Sequence, residues 1–167
     1  PAEKEKITVL LKHLKGENGT EVKLEGIRRK DKDPVTFTVV RGDIPVESVD
    51  ASFLVDDEIG YIRIKNFGEN TFAEMLATLA HLHFNGMKSL IIDLRGNRGG
   101  YMHPSIQMAN EILDEDQLIV YTEGSKVKRE DYRANGLGSF KHLPLVVLVD
   151  EMSASSSEIF AGAIQDN

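Results

Sequence analysis

The sequence predicts an α/β fold: a mostly parallel sheet with helices on both faces, preceded by part of a smaller domain. Three observations carry this reading. Beyond about residue 45, short apolar runs such as "KSLIIDL" and "LPLVVLVD" alternate with segments of helical period, the pattern of buried parallel strands joined by crossover helices. Strand-to-helix junctions fall at glycine- and serine-rich loops, the usual place for chemistry in such sheets. The first forty-odd residues hold one helix pattern and two strand patterns, too few elements for an independent core. The expected division is therefore a partial domain at 1–44 and a second domain at 45–167.

The elements follow in order. In "KEKITVLLKHLKGENG", Ile7, Leu10, Leu11 and Leu14 recur at helical spacing, and Gly16 with Asn18-Gly19 ends the helix. "TEVKLEGIRR" alternates through Val22 and Leu24, and "VTFTVVRG" through Val35, Phe37 and Val39. These read as two half-buried strands joined by the charged turn Arg28–Asp33. Within "GDIPVESVDASFLVDDEIGYIRIKNF" two more strands flank a tight turn at Asp56–Gly60. "NTFAEMLATLAHLHFNG" is an amphipathic helix with Phe72, Met75, Leu76, Leu79 and Leu82 on one face. Thr71 with Glu74 is expected to form its capping box, and Gly86 its stop. Then come strand "KSLIIDL", helix "PSIQMANEIL", strand "QLIVYT", strand "LPLVVLVD" and helix "SSEIFAGAIQD".

Composition excludes several functions. The formal net charge of −7 offers no large basic face for a nucleic-acid partner. The absence of cysteine excludes a thiol nucleophile, disulfides and thiolate metal sites. No apolar run approaches the roughly 20 residues of a membrane-spanning helix. The opening "PAEKEK" carries no signal peptide and reads as the interior of a longer chain. No cofactor is expected: "GNRGG" is neither a dinucleotide fingerprint nor a phosphate loop. His81 and His83, two positions apart on a helix, face away from each other and do not suit one metal.

Two junctions carry the functional signal. In "IIDLRGNRGGYMHPS", Gly96, Gly99 and Gly100 allow a tight turn that bares backbone amides. In "VVLVDEMSASSSEIF", serine hydroxyls sit at a helix start. Each has a plain structural explanation by itself, as a turn or, for Ser155 with Glu158, a capping box. Together, an amide-rich loop and a hydroxyl-rich helix start are what acyl transfer needs: a nucleophile and donors for the developing oxyanion. "SASSS" lacks the flanking glycines of the α/β-hydrolase elbow. His103, just after the glycine loop, is a candidate base for Ser155.

These segments, with "GYIRIKNF", "GMKSLIIDLRGNRGG", "LIVYTEG" and "PLVVLVDEMSASSSEIFAGAIQDN" in matching order, resemble the carboxy-terminal processing, or tail-specific, serine peptidases. The resemblance implies a crotonase- or Clp-protease-like peptidase core with a Ser/Lys catalytic pair, and makes residues 1–44 the second half of a PDZ-like domain. It places the nucleophile on Ser155 and the oxyanion donors on the backbone N–H groups of Gly100 and Ser156, with Ser153 and Ser157 supporting the turn. Ser156 stands where the family commonly has alanine. The family's general-base lysine lies on a strand beyond Asn167, and none of Lys126, Lys128 or Lys141 sits in a matching motif. The implied partners are polypeptides with exposed C-terminal segments, and the implied location is the bacterial periplasm or cell envelope. The residues themselves leave a non-catalytic peptide-binding scaffold of the same fold as the alternative, and a binder of lipophilic ligands as a third reading. If the parent fold is interrupted, the stripe of the first helix is unpartnered and self-association is expected.

Overall fold

A computed structural model describes residues 7–27, 33–42 and 46–167. The chain forms two compact units, Pro1–Pro45 and Val46–Asn167.

In the first unit, helix α1 (Ile7–Leu14) precedes the antiparallel pair β1 (Glu21–Ile27) and β2 (Pro34–Val40), registered from Glu21 opposite Val40 to Ile27 opposite Pro34. The expected apolar stripe falls partly on Ile7 and Leu10, whose side chains lie outside the described residues; Leu11 is exposed and Leu14 half-buried. Except for Asp33, the charged turn also lies outside them. Arg41, a residue with no sequence-level signal, organises this unit. Its Nε donates to the Leu14 carbonyl at 2.7 Å and Nη2 to that of His13 at 3.2 Å, while Nη1 reaches Thr20 Oγ1 at 2.9 Å. A guanidinium on the last carbonyls of a helix satisfies orphan acceptors and complements the dipole. β1 alternates as expected, but β2 is exposed along its whole length, Phe37 included. An eight-residue helix spans about 12 Å, too short to cover both seven-residue strands of about 23 Å.

The second unit holds a four-stranded sheet in the order β3 (Val49–Leu54), β4 (Ile59–Ile64), β5 (Ser89–Asp93), β8 (Leu145–Leu148). β3 and β4 form an antiparallel hairpin, whose turn is pinned by Asp56 Oδ1 accepting the Glu58 and Ile59 N–H groups at 2.9 Å each. β4, β5 and β8 run parallel. Alternation along the strands sends Ile62, Ile64, Leu90 and Ile92 to one face. There they form a buried core with Met75, Leu79 and Leu82 of α2 (Thr71–Phe84), Met108 and Ala109 of α3 (Met102–Ile112), and Phe160 and Ala163 of α4 (Ser156–Asp166). The α/β class is as expected. The expectation of helices on both faces is corrected: α2, α3 and α4 pack on this face, while on the other, among the described residues, Phe53 stacks on Tyr61 at 4.8 Å and Phe53 and Val146 stay exposed.

Two local expectations are corrected. Thr71 is the first residue of α2 and Asn70 its cap, so no Thr71–Glu74 box forms. Thr71 Oγ1 instead donates to Ser48 Oγ at 2.6 Å, and Glu74 accepts the Ser48 and Val49 N–H groups at 2.7 and 3.0 Å. A tertiary partner has outcompeted the local one. The second correction is a missed strand. β6 (Leu118–Gly124) pairs with β7 (Val127–Arg133) in a separate antiparallel ribbon. The sequence "VKREDYR" lacks apolar alternation because the ribbon is held by surface contacts, with Arg129 over the Tyr121 ring at 4.0 Å and Asp131 between Arg129 and Arg133.

Candidate active site

β5 and β8 are adjacent and parallel, so the loops that leave their C-terminal ends, Leu94–Tyr101 and Val149–Ser155, emerge side by side. This is why two junctions more than 50 positions apart in sequence meet. Serine hydroxyls and backbone groups stitch them together. Leu94 N–H donates to the Leu148 carbonyl at 2.8 Å, and Ala154 N–H to that of Asn97 at 3.1 Å. Ser153 Oγ donates to the Leu94 carbonyl at 2.8 Å and Ser157 Oγ to the Asn97 carbonyl at 2.9 Å. Ser156 Oγ lies 3.0 Å from both the Gly100 and Tyr101 carbonyls. Three of the four serines are thus structural cross-links.

Ser155 differs from its neighbours. It is exposed, whereas Ser156 and Ser157 are buried. It caps α4 with φ 55° and ψ −116°, a region that costs a non-glycine residue about 1–3 kcal/mol and recurs at functional sites. One arm of the expected capping box is in place, with Ser155 N–H donating to the Glu158 carboxylate at 2.7 Å, while Glu158 N–H donates to the Ser155 carbonyl at 2.9 Å.

The glycine loop lies against this residue. Gly99 has φ +91°, and a Cβ there would sit 2.8 Å from Ser155 Cβ and 2.7 Å from the Ala154 carbonyl oxygen. Gly100 has φ +152° and bridges Phe67; a Cβ would fall 2.1 Å from the Phe67 oxygen. Only glycine permits both approaches. The Gly99 N–H is taken by Asn97 Oδ1 at 2.8 Å. Among the described residues, the N–H groups of Gly100 and Ser156 have no acceptor. For Ser156, the first residue of α4, that follows from its place at a helix start. An exposed hydroxyl beside two unengaged amides is an arrangement that can attack a carbonyl and hold the resulting oxyanion.

Residues without a sequence signal hold the loops. Asn97 is fully buried and spans both. Asp150 Oδ1 accepts the N–H groups of Gly96 at 2.9 Å, Met152 at 3.0 Å and Ser153 at 3.1 Å. These bonds, Gly96 first, hold its pKa below the usual carboxylate range. Asp93 is 2% exposed and receives a two-pronged Arg95 guanidinium, with Nη2 at 2.7 Å, and the Tyr61 hydroxyl at 2.7 Å. Arg95 holds the Asp93 carboxyl far below its ordinary range, and burial pushes the Tyr61 hydroxyl up. This cluster anchors the start of the glycine loop through the Arg95 N–H at 2.9 Å.

His103 is exposed and lines a shallow groove with Glu69, Tyr101, Met102 and Pro104. No hydrogen bond joins it to Ser155 among the described residues. Lys141 is engaged with the Gly136 carbonyl at 2.6 Å, and Lys126 and Lys128 lie exposed on the β6–β7 ribbon. No group of three or more histidines or carboxylates among the described residues is placed to hold a metal ion.

The model of peptidase family S41 matches residues 58–167. The carboxyl-terminal-processing protease of Synechocystis sp. is 38% identical over 159 residues, covering 92% of this chain and 36% of that protein. The carboxy-terminal processing protease CtpA of Bacillus subtilis is 36% identical over 154 residues, covering 92% and 32%. Among solved structures, the photosystem II D1 C-terminal processing protease superposes with a TM-score of 0.63 at 26% identity, covering 90% of this chain and 42% of that one. The chain spans about a third of the length of the curated relatives it matches. The family model covers about two thirds of the chain, and the chain belongs to peptidase family S41.

Proposed function

We propose that this chain supplies the nucleophile and oxyanion donors of a serine endopeptidase of the carboxy-terminal processing type. One observation carries the reading: the exposed Ser155 hydroxyl, at a strained helix cap, stands beside the unengaged N–H groups of Gly100 and Ser156. In the proposed reaction Ser155 Oγ attacks the scissile carbonyl carbon and its proton passes to a lysine that is not among residues 1–167. The carbonyl oxygen becomes an oxyanion held by the two N–H groups. The C–N bond breaks, the amine leaves with that proton, and water then hydrolyses the Ser155 ester to free the serine.

The relatives' names support polypeptide C-terminal segments as substrates. In this reading residues 1–44 belong to a PDZ-like substrate-recognition domain, residues 45–167 to the peptidase core, and the enzyme works in the bacterial periplasm or cell envelope. Self-association of the isolated chain is part of the proposal, supported by the exposed Leu11 and Phe37. The test is fluorophosphonate labelling and peptide hydrolysis by the full-length protein. Ser155→Ala is expected to abolish both, whereas Ser153→Ala, which loses the bond to the Leu94 carbonyl and the contacts with Asp150 but no reacting atom, keeps the label and part of the turnover. Full activity in Ser155→Ala together with loss in Ser153→Ala would move the nucleophile and overturn the assignment.

A further inference from the structure

Two adjacent glycines at positive φ present amides near Ser155, yet only one of the two N–H groups is unengaged. The side chain of Asn97 makes that selection. Asn97 is fully buried at the turn of the glycine loop. Its Nδ2 donates to the Ile64 carbonyl at the end of β4 at 2.8 Å, which fixes the amide plane, and its Oδ1 accepts the Gly99 N–H at 2.8 Å. Its own carbonyl takes Ala154 N–H and Ser157 Oγ from the serine loop, at 3.1 and 2.9 Å. One residue thereby contacts the sheet, the glycine loop and the nucleophile loop.

The consequence for Gly100 follows along the backbone. With Gly99 N–H turned toward Asn97, the Gly99 carbonyl accepts Phe67 N–H at 3.1 Å and the Phe67 carbonyl accepts Tyr101 N–H at 2.8 Å. The peptide that carries Gly100 N–H is pinned on both sides while its own hydrogen stays without a partner. Without the Oδ1 acceptor, the half-buried Gly99 amide loses its protein partner, and the neighbouring peptide is free to rotate with it.

We propose that Asn97 is a positioning residue for peptide hydrolysis: by engaging Gly99 N–H and Ile64 C=O it directs Gly100, and not Gly99, to the oxyanion and sets that donor relative to Ser155. This rests on the peptidase reading above. A donor that matters only once the oxyanion forms affects turnover and transition-state analogues, with little effect on substrate binding.

Two measurements test it. Hydrogen exchange on the 167-residue chain should show Gly99 N–H protected and Gly100 N–H exchanging at least tenfold faster, with Asn97→Ala erasing the Gly99 protection while the β5 amides stay protected. In the full-length protein, Asn97→Ala should lower kcat by about 10–100-fold, below the loss expected for outright removal of a donor. KM should stay within about threefold, and affinity for a peptide boronate should fall in step with kcat. Equal exchange at Gly99 and Gly100 in the unmodified chain overturns the proposal even if the alanine variant does not fold, and so does an alanine variant with unchanged kcat and boronate affinity. Failure of the underlying reading is separate: it shows as full activity in Ser155→Ala.

Discussion

Replacing Gly99 by alanine tests how closely the two loops must approach. The new Cβ would lie 2.7 Å from the Ala154 oxygen, 2.8 Å from Ser155 Cβ and 2.9 Å from Ser156 N, where ordinary contact begins near 3.4 Å. Two of these atoms are backbone and the third is a Cβ, so none can swing aside as the end of a flexible side chain would. Positive φ costs an L-residue about 1–2 kcal/mol, and overpacking against rigid neighbours about 1–3 kcal/mol more. Gly96 is the control. It shares a positive φ, +76°, but a Cβ there meets nothing within 4 Å, so Gly96→Ala carries only the backbone cost. The 1–3 kcal/mol difference corresponds to a melting temperature for Gly99→Ala roughly 3–15 °C below that of Gly96→Ala in a unit of this size. Circular dichroism melts of the chain measure it. In the full-length protein Gly99→Ala should also lose about 10²-fold or more in peptide hydrolysis, since it separates the nucleophile from its donors, with Gly96→Ala within tenfold of the unmodified enzyme. Melting points within 2 °C of each other would mean that the loops do not press together as described.

The conformation of Ser155 predicts a trade between stability and function: Ser155→Gly should raise the melting temperature by a few degrees, as about 1 kcal/mol or more of backbone strain is relieved, while fluorophosphonate labelling disappears. A lower melting point would show that the cap is unstrained. Asp93 predicts a pH dependence. Its pKa is depressed chiefly by Arg95, so the stability it contributes is present above the unfolded carboxylate value of about 4 and is lost as pH falls through the lower folded value. Asp93→Asn should therefore destabilise the chain at pH 7, by about 1–3 kcal/mol for a charged hydrogen-bond network. The gap to the unmodified chain should narrow below pH 4, and a gap independent of pH in urea titrations would refute the coupling.

Much of the fold is legible in the residues because its signals are local. The 3.6-residue spacing of Met75, Leu79 and Leu82, the apolar run at Ser89–Asp93 and the glycine stop at Gly86 are energetic preferences of near neighbours, and the elements appear where those preferences put them. The motif at Ser155 and the paired glycines are legible for the same reason, since a helix cap and a positive-φ turn are settled within a few residues. Thr71 and Glu74 mark the limit. The local pattern matches a capping box, yet their polar groups are spent on Ser48 and Val49, which only the packing of β3 against α2 brings near.

What tertiary structure alone decided is which polar groups meet across the sheet. Asn97, Asp150 and the hydroxyls of Ser153, Ser156 and Ser157 act over separations of more than 50 positions, for which no periodicity or spacing carries a signal. Their partners are set by the parallel register of β5 on β8, with Leu90 opposite Leu145 and Asp93 opposite Leu148; a shift of one residue would reverse every side chain and part the loops. The amino-acid order by itself determined that a serine stands at a helix start and glycines at a turn. Packing of the two loops gave most of their polar groups partners within the protein, and the two N–H groups left over, of Gly100 and Ser156, lie beside Ser155.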